Sequence, residues 1–571
     1  MKGRSYSAVW NAARNRREIV AARLSRRDMF KLGLLTAAGY LVPKNGLSQV
    51  ASGGLPVSPP TTPFVEMMPV PPIKETLDGL DPPPKVMPQA GEGRTRPHQA
   101  LEMFPPVRFA EVHQREALHS FHPELPMQTI WGFDGMFPGP THVCRYGEPY
   151  LVRNHNDLPE DNGGFGLPSV STHLHNSHTP SESDGFPCDF FEHGQFYDQH
   201  YPNVLAGFSK QFPPNGDPRE AMSTLWYHDH RVDFTAQNVY KGLAGFCLLF
   251  NEHDTGDEST GFRLPSGEYD VPMLFADKVF DPEGLAFFDL FNLDGIIGDK
   301  LTVNGKIQPF FPVHPRKYRL RLLNTGPSRF MQLALSDTRR PQQILPLMQI
   351  SNDGNLLPRP VEVESIHLSV AERVDVIVDF SESAGRSFVL LNRMEQINGR
   401  APTSRIMPVG ASDAVMRFDV VLPPVADSPP LPEHFYDLPP TNANSPEVVA
   451  RRLFRLDRLQ GQWTVNGRIF DCETALVTPR EGTAEIWTIQ NTSNAWQHPV
   501  HIHFEEHQIL TRNGQRPSVV ERARKDVTRL GFGETIELFI RFRDFLGRYP
   551  AHCHNVVHED HAMMMRFDIV P

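Results

Sequence analysis

Four His-x-His pairs and one cysteine are the residues of this chain best equipped for chemistry. The pairs are His173/His175, His228/His230, His501/His503 and His552/His554, and Cys553 sits inside the last. Imidazole binds copper, zinc, iron and nickel, so histidines alone do not name a metal. Two imidazoles, a thiolate and a weak axial thioether do, because that set builds a blue-copper electron-transfer site. His498, Cys553, His558 and Met563 supply it, the last three within one short loop. Flanked by His552 and His554, the cysteine lets one backbone segment serve two metal sites. Electrons then have a short covalent route between them, which suits delivery of single electrons to dioxygen.

The spacing predicts strands beneath these residues. Positions i and i+2 of a strand project from one face. Each pair can therefore aim two imidazoles at one place, yet reach different metals. The first two pairs begin 55 residues apart and the last two 51 apart. Residues 262–423 between them carry only isolated His314 and His367. This pattern predicts a cluster between a first and a third domain, with the second as spacer. The other scattered histidines, His142, His178, His193, His200 and His561 among them, read as structural or solvated.

The rest of the chain reads as β-structure. Ile536, Leu538, Ile540 and Phe542 alternate with Glu537, Phe539, Arg541 and Arg543, the period of a strand. Asn304-Gly305, Asn466-Gly467 and Asn513-Gly514 are hairpin signals. Leu301–Lys306 and Trp463–Arg468 are near copies 162 residues apart, and Gly132–Gly135 is a fainter third version. A repeat of that length implies three similar sandwiches, and 571 residues suffice for about three domains.

Charge and composition narrow the setting. The formal charge is −11; residues 1–44 hold ten Lys/Arg and two Asp/Glu, so the remainder carries −19. An acidic body excludes nucleic acid and anionic membranes as partners. Ser25-Arg26-Arg27-Asp28-Met29-Phe30-Lys31 resembles a twin-arginine export signal, with an apolar run from Leu32 to Val42 too short to span a membrane. The expectation is a periplasmic or secreted bacterial protein carried by the twin-arginine translocase. Proline crowds residues 56–88 and 423–440, which read as straps because proline cannot donate to a sheet ladder. Cys144, Cys188, Cys247 and Cys472 either pair or pack as buried apolar groups; spacing does not choose.

Taken together, Thr172–His175, Leu225–His230, His498–His503 and His552–His554 resemble, in order, the four copper motifs of three-domain multicopper oxidases. The resemblance covers most of residues 125–571. Ser181–Pro187, Asn238–Leu243 and Asp270–Pro272 are similar to bacterial spore-coat laccases, whereas Trp496, Lys525–Val527 and His554–His561 are similar to bilirubin oxidases. The family implies an all-β fold of three cupredoxin-like Greek-key β-sandwich domains. The expected division is signal and tether 1–52, Pro-rich segment 53–100, domains 101–258 and 262–423, linker 424–448 and domain 449–571. It also implies four copper ions. Type 1 copper takes His498, Cys553, His558 and axial Met563; type 2 takes His173 and His501. The type 3 pair takes His175, His228, His230, His503, His552 and His554. Asp184 and Glu559 match acids near the oxygen and proton channels, and His498 with Trp496 is expected at the exposed substrate edge. The implied reaction is one-electron oxidation of a phenol, aromatic amine or bilirubin-like tetrapyrrole coupled to four-electron reduction of O2 to water. Oxidation of Mn(II) or Cu(I), or a copper-free scaffold role, are the alternatives.

Overall fold

The structure is a computed structural model and describes residues 55–571, except Phe291, Gln460 and Asn494. The expected export signal lies outside the described residues. Three pairs of sheets follow one another along the chain. In the first, Gln128–Phe133, Arg108–His119, Tyr150–Asn156 and Phe196–Tyr201 form one sheet. Gly139–Arg145, Ala244–Phe250, Thr224–Asp229 and Thr172–His175 form the other. Val112, Tyr150, Leu174, Leu225 and Leu249, drawn from both sheets, share one buried core. The middle and third pairs each enclose a core of their own. These are sandwiches, in which inward side chains of two sheets interdigitate.

A common device opens each sandwich. Arg108–His119, Asp270–Phe280 and Val448–Leu459 each pair antiparallel with the next long strand and parallel with a later one. The parallel partner requires a crossover, which makes the topology Greek-key rather than a meander. The three repeat copies sit at the same place in each sandwich. Asp134, Asn304 and Asn466 have φ of 55°, 46° and 52°, and each is followed by a glycine with positive φ. Two successive positive φ values are what a tight hairpin turn demands, hence the Asx-Gly dipeptide. The repeat is therefore turn chemistry, needed wherever the sandwich reuses this corner.

The proline-rich stretch runs extended across all three sandwiches. Ser58 hydrogen-bonds Asp299, and Met67 bridges Phe310 in the middle one. Ile73 and Leu77 bridge Thr141 and Phe109 in the first. Further on, Gln99 binds Glu182 and the Leu546 carbonyl, tying the first sandwich to the third. A disulfide, Cys188–Cys472, with Cα atoms 6.2 Å apart, ties the same two sandwiches a second time. Cys144 and Cys247 remain free and buried. Among the described residues no helix is long and apolar enough to cross a membrane.

Candidate metal centre

Strand register brings the histidines together. Thr172–His175 lies antiparallel to Thr224–Asp229 with His173 opposite His228. His498–Ile502 lies antiparallel to Gly547–Cys553 with His501 opposite His552. His230, His503 and His554 sit just beyond strand ends, where the chain can turn their rings back. The two pairs of strands then face each other across the interface of the first and third sandwiches. His173 stacks on His503 at 3.9 Å and His175 on His501 at 3.8 Å. All eight imidazoles are buried, none more than 2% exposed.

The outward ring nitrogens are tied to acceptors, so their tautomers follow. Nδ1 of His228 and His501 donate to the carbonyls of Asp229 and Asp526, at 2.7 and 3.0 Å. Nδ1 of His173 donates to the Asp184 carbonyl. The His503 Nδ1 meets Asp184 Oδ2 at 2.8 Å, and His230 and His552 meet the two oxygens of Glu559 at 3.1 and 3.0 Å. With Nδ1 protonated, each Nε2 presents only a lone pair. The Nε2 atoms of His230, His503 and His552 nevertheless converge at 3.1, 3.2 and 3.2 Å. Nε2 of His173, His228 and His501, Nδ1 of His175 and both nitrogens of His554 have no hydrogen-bond partner.

Each unsatisfied buried polar group costs about 1–3 kcal/mol. Lone pairs gathered in this way need a cation among them. Three nitrogens about 2.0 Å from one ion would lie about 3.3 Å apart, so the His230, His503 and His552 triangle fits a metal. His175, His228 and His554 face one another with ring centroids 5.2–5.7 Å apart, which leaves room for another.

A second, smaller group lies on the third sandwich. Cys553 Sγ is 3.3 Å from His498 Nδ1 and 3.6 Å from His558 Nδ1, and those nitrogens are 3.2 Å apart. Met563 is fully buried beside them, with its carbonyl accepting from Cys553 N at 3.0 Å. Burial pushes the Cys553 thiol well above its ordinary value, so a thiolate there needs a bound cation as counter-charge. Trp463 covers His558 at 4.0 Å. The short helix Val556–Asp560 supplies His558 to this group and Glu559 to the histidine cluster.

Two acids at the cluster are pushed apart. Burial drives the Asp184 carboxyl well above its usual range. Burial would also raise Glu559, but His552 and His230 outweigh it and hold Glu559 well below. One acid is suited to keeping a proton and the other to staying charged.

One expectation needs correcting. The His498 ring is fully buried and presents no edge to solvent. Its Nε2 meets Ser493 Oγ at 3.0 Å, because the turn after Thr483–Asn491 folds over it. The His558 Nε2 is likewise covered, donating to the Asp294 carbonyl at 3.1 Å. Trp496 is half-buried, packed edge-on to Trp463 at 5.1 Å. Asp294, Trp463 and Ser493 escaped the sequence reading. Only Trp463 carried a signal, as the first residue of a repeat copy. His142, His178, His193 and His200 bond to Tyr150, Asp544, Leu158 and Phe104, away from the cluster.

Burial also lowers the imidazoles' affinity for protons. His228 and His498 are pushed down to about 3, and His173, His175, His501, His503, His554 and His558 well below their ordinary value. An unfolded histidine titrates near 6.5. Below that pH the unfolded chain binds more protons than the folded one, so stability is lost as pH falls. Each ring contributes up to about 1.4 kcal/mol per pH unit in that window. The metal-free protein should therefore melt many degrees lower at pH 5.5 than at pH 7.5. Thermal unfolding of chelator-treated protein at the two values checks this, and equal midpoints would contradict it.

Comparisons with known proteins agree with this geometry. Two family models, each described as multicopper oxidase, match residues 118–254 and 444–571. The chain is 33% identical over 524 residues to the bilirubin oxidase of Albifimbria verrucaria, covering 90% of this chain and 82% of that one. It is 31% identical over 521 residues to the laccase of Bacillus subtilis strain 168, covering 81% and 94%. Among solved structures, the 2F4 variant of McoA from Aquifex aeolicus superposes with a TM-score of 0.71 at 22% identity, over 89% of this chain and all of that one.

Proposed function

The chain belongs to the multicopper oxidase family, and from that premise we propose how its buried groups divide the work. It is a copper-dependent oxidoreductase that couples oxidation of a reductant to reduction of O2. In our reading His498, Cys553, His558 and Met563 hold a type 1 copper. His173 and His501 hold a type 2 copper. His230, His503 and His552 hold one type 3 ion and His175, His228 and His554 the other, for four ions per chain. The observation that carries this is the set of inward lone pairs without partners, with every ring of the cluster but that of His554 held from behind by a carboxylate or carbonyl. Such outer contacts fix ring orientation and raise ligand basicity.

Bound copper supplies the one-electron couples and the site where O2 is reduced. The protein's own part is wiring, proton supply and exclusion of water. Cys553 lies in the backbone between His552 and His554, so its sulfur is a few bonds from both type 3 groups. Four reductant electrons and four protons are needed for each O2 that becomes two waters. Asp184, which favours its proton, is placed to supply one beside His503, while Glu559, charged between His230 and His552, is placed to accept protons and pass them on. Splitting reductant oxidation from the buried oxygen site keeps partly reduced oxygen inside.

The reductant side is best read as a face for aromatic molecules with acidic groups, such as bilirubin-like tetrapyrroles, beside plain phenols and aromatic amines. Trp496 offers a half-buried ring, and the guanidinium carbons of Arg400 and Arg458 both lie 5.0 Å from its centre. Both arginines pair with Asp294, whose carbonyl holds His558. Among the described residues nothing in the site favours Mn(II) or Cu(I), and a copper-free scaffold would not retain every ligand. The test is oxygen uptake by copper-loaded protein with bilirubin, a neutral phenol, Mn(II) and Cu(I). Uptake with bilirubin and the phenol is expected, and none with any reductant would overturn the reading. Arg400→Ala should raise KM for bilirubin by about three- to tenfold, a charge-assisted contact's worth, and leave the phenol unchanged.

The same proposal takes 101–258, 262–423 and 449–571 as the three domains. It also includes twin-arginine export to the periplasm or beyond, since the Cys188–Cys472 disulfide suits an oxidising compartment.

A further inference from the structure

We propose that Arg373, from the sandwich that contributes no imidazole, is a positioning residue for the histidine cluster, acting through Asp526 on His175 and His501. The inference rests on the copper reading above. Arg373 opens the strand Arg373–Asp379 and is fully buried. Its guanidinium grips Asp526 bidentately, Nη1 to Oδ1 at 2.9 Å and Nη2 to Oδ2 at 2.6 Å. The other three N–H groups donate to the carbonyls of Thr224, Ala371 and Asp353 at 3.2, 3.2 and 2.8 Å. All five donors are therefore used, which leaves the fork one orientation.

Asp526 passes that orientation on. Its Oδ1 accepts from His175 Nε2 at 3.0 Å, and its backbone carbonyl accepts from His501 Nδ1 at 3.0 Å. His175 is the exception in the cluster. Where the other tied rings face outward through Nδ1, it faces outward through Nε2 and turns Nδ1, without a partner, inward. Only a fixed acceptor behind Nε2 holds the ring that way round. The middle sandwich fixes Asp526 from the main chain too: the turn Asn352–Asn355 brings Asp353 Oδ2 to the backbone N–H of Asp526 and Val527 at 3.3 and 3.2 Å. The Asp353 carbonyl also accepts from Asn176, next to His175. Thus one residue, clamped from the middle sandwich, aligns an imidazole from the first through its carboxylate and one from the third through its carbonyl.

A double-mutant cycle on copper binding tests this. Arg373→Met and Asp526→Asn should each weaken copper binding at the histidine cluster about 10- to 100-fold, the usual effect of losing a partner behind a ligand. The blue band of the Cys553 group should keep its intensity. The double variant should be no worse than the worse single one, because Arg373 acts only through Asp526. Losses that multiply, equal loss at the Cys553 group, or wild-type copper binding in Arg373→Met would each overturn the proposal. Should Arg373→Met fail to fold, Arg373→Lys takes its place in the cycle, with the same outcomes. Wild-type protein that takes up no copper would instead overturn the copper reading itself.

Discussion

Cys553→Ser is expected to abolish the blue absorption and to cut oxygen uptake at least about a thousandfold, some 4 kcal/mol of barrier. Serine is nearly isosteric, so the fold should survive in a core where Cys553 is fully buried. Its oxygen is a poor partner for a soft metal and does not ionise in a site that already opposes the thiolate. The histidine cluster stands on its own strands and outer partners, so copper there should remain and keep its near-ultraviolet absorption. What is lost is the sulfur that joins the reductant side to His552 and His554. Turnover within tenfold of wild type, in a variant without the blue band, would show that electrons reach the cluster another way.

Glu559→Gln is expected to lower kcat by about 100- to 1000-fold, within the range of a lost proton-transfer group. The carboxylate serves two rings, with 3.1 Å to His230 Nδ1 and 3.0 Å to His552 Nδ1. A carboxamide can accept from only one of them and turns an N–H toward the other. KM for the reductant should hardly change, because Trp496 and the arginines pack with Trp463 and Asp294 beside His558. Asp184→Asn should slow the enzyme as well, most strongly at high pH, where protons are scarce and a group that retains one matters most. Steady-state rates between pH 5 and 8 check both. A kcat within threefold of wild type in Glu559→Gln would remove Glu559 from the proton path.

Much of this was legible in the chain because it depends on local geometry. A strand throws i and i+2 to one face whatever surrounds it, so four His-x-His pairs announce converging imidazoles. Three Asx-Gly turns at domain spacing announce a repeated corner, because few other dipeptides tolerate two positive φ values. The grouping of Cys553 with His558 and Met563 was legible because all three fall within one loop. By contrast, the exposed His498 edge was an error of tertiary origin. Whether Ser493 folds over that ring depends on how the loop after Thr483–Asn491 packs, which no spacing encodes.

Residue types and periodicity alone determined that this is an all-β chain of repeated sandwiches with copper-type ligands at two ends of its sequence. Only the tertiary structure decided which nitrogen of each ring faces inward, that Cys188 pairs with Cys472, and that Arg373 reaches the cluster. The physical reason is the same in each case. A covalent neighbour is guaranteed by the chain, whereas a hydrogen-bond partner 150 or 300 residues away exists only once three sandwiches have docked and excluded water between them.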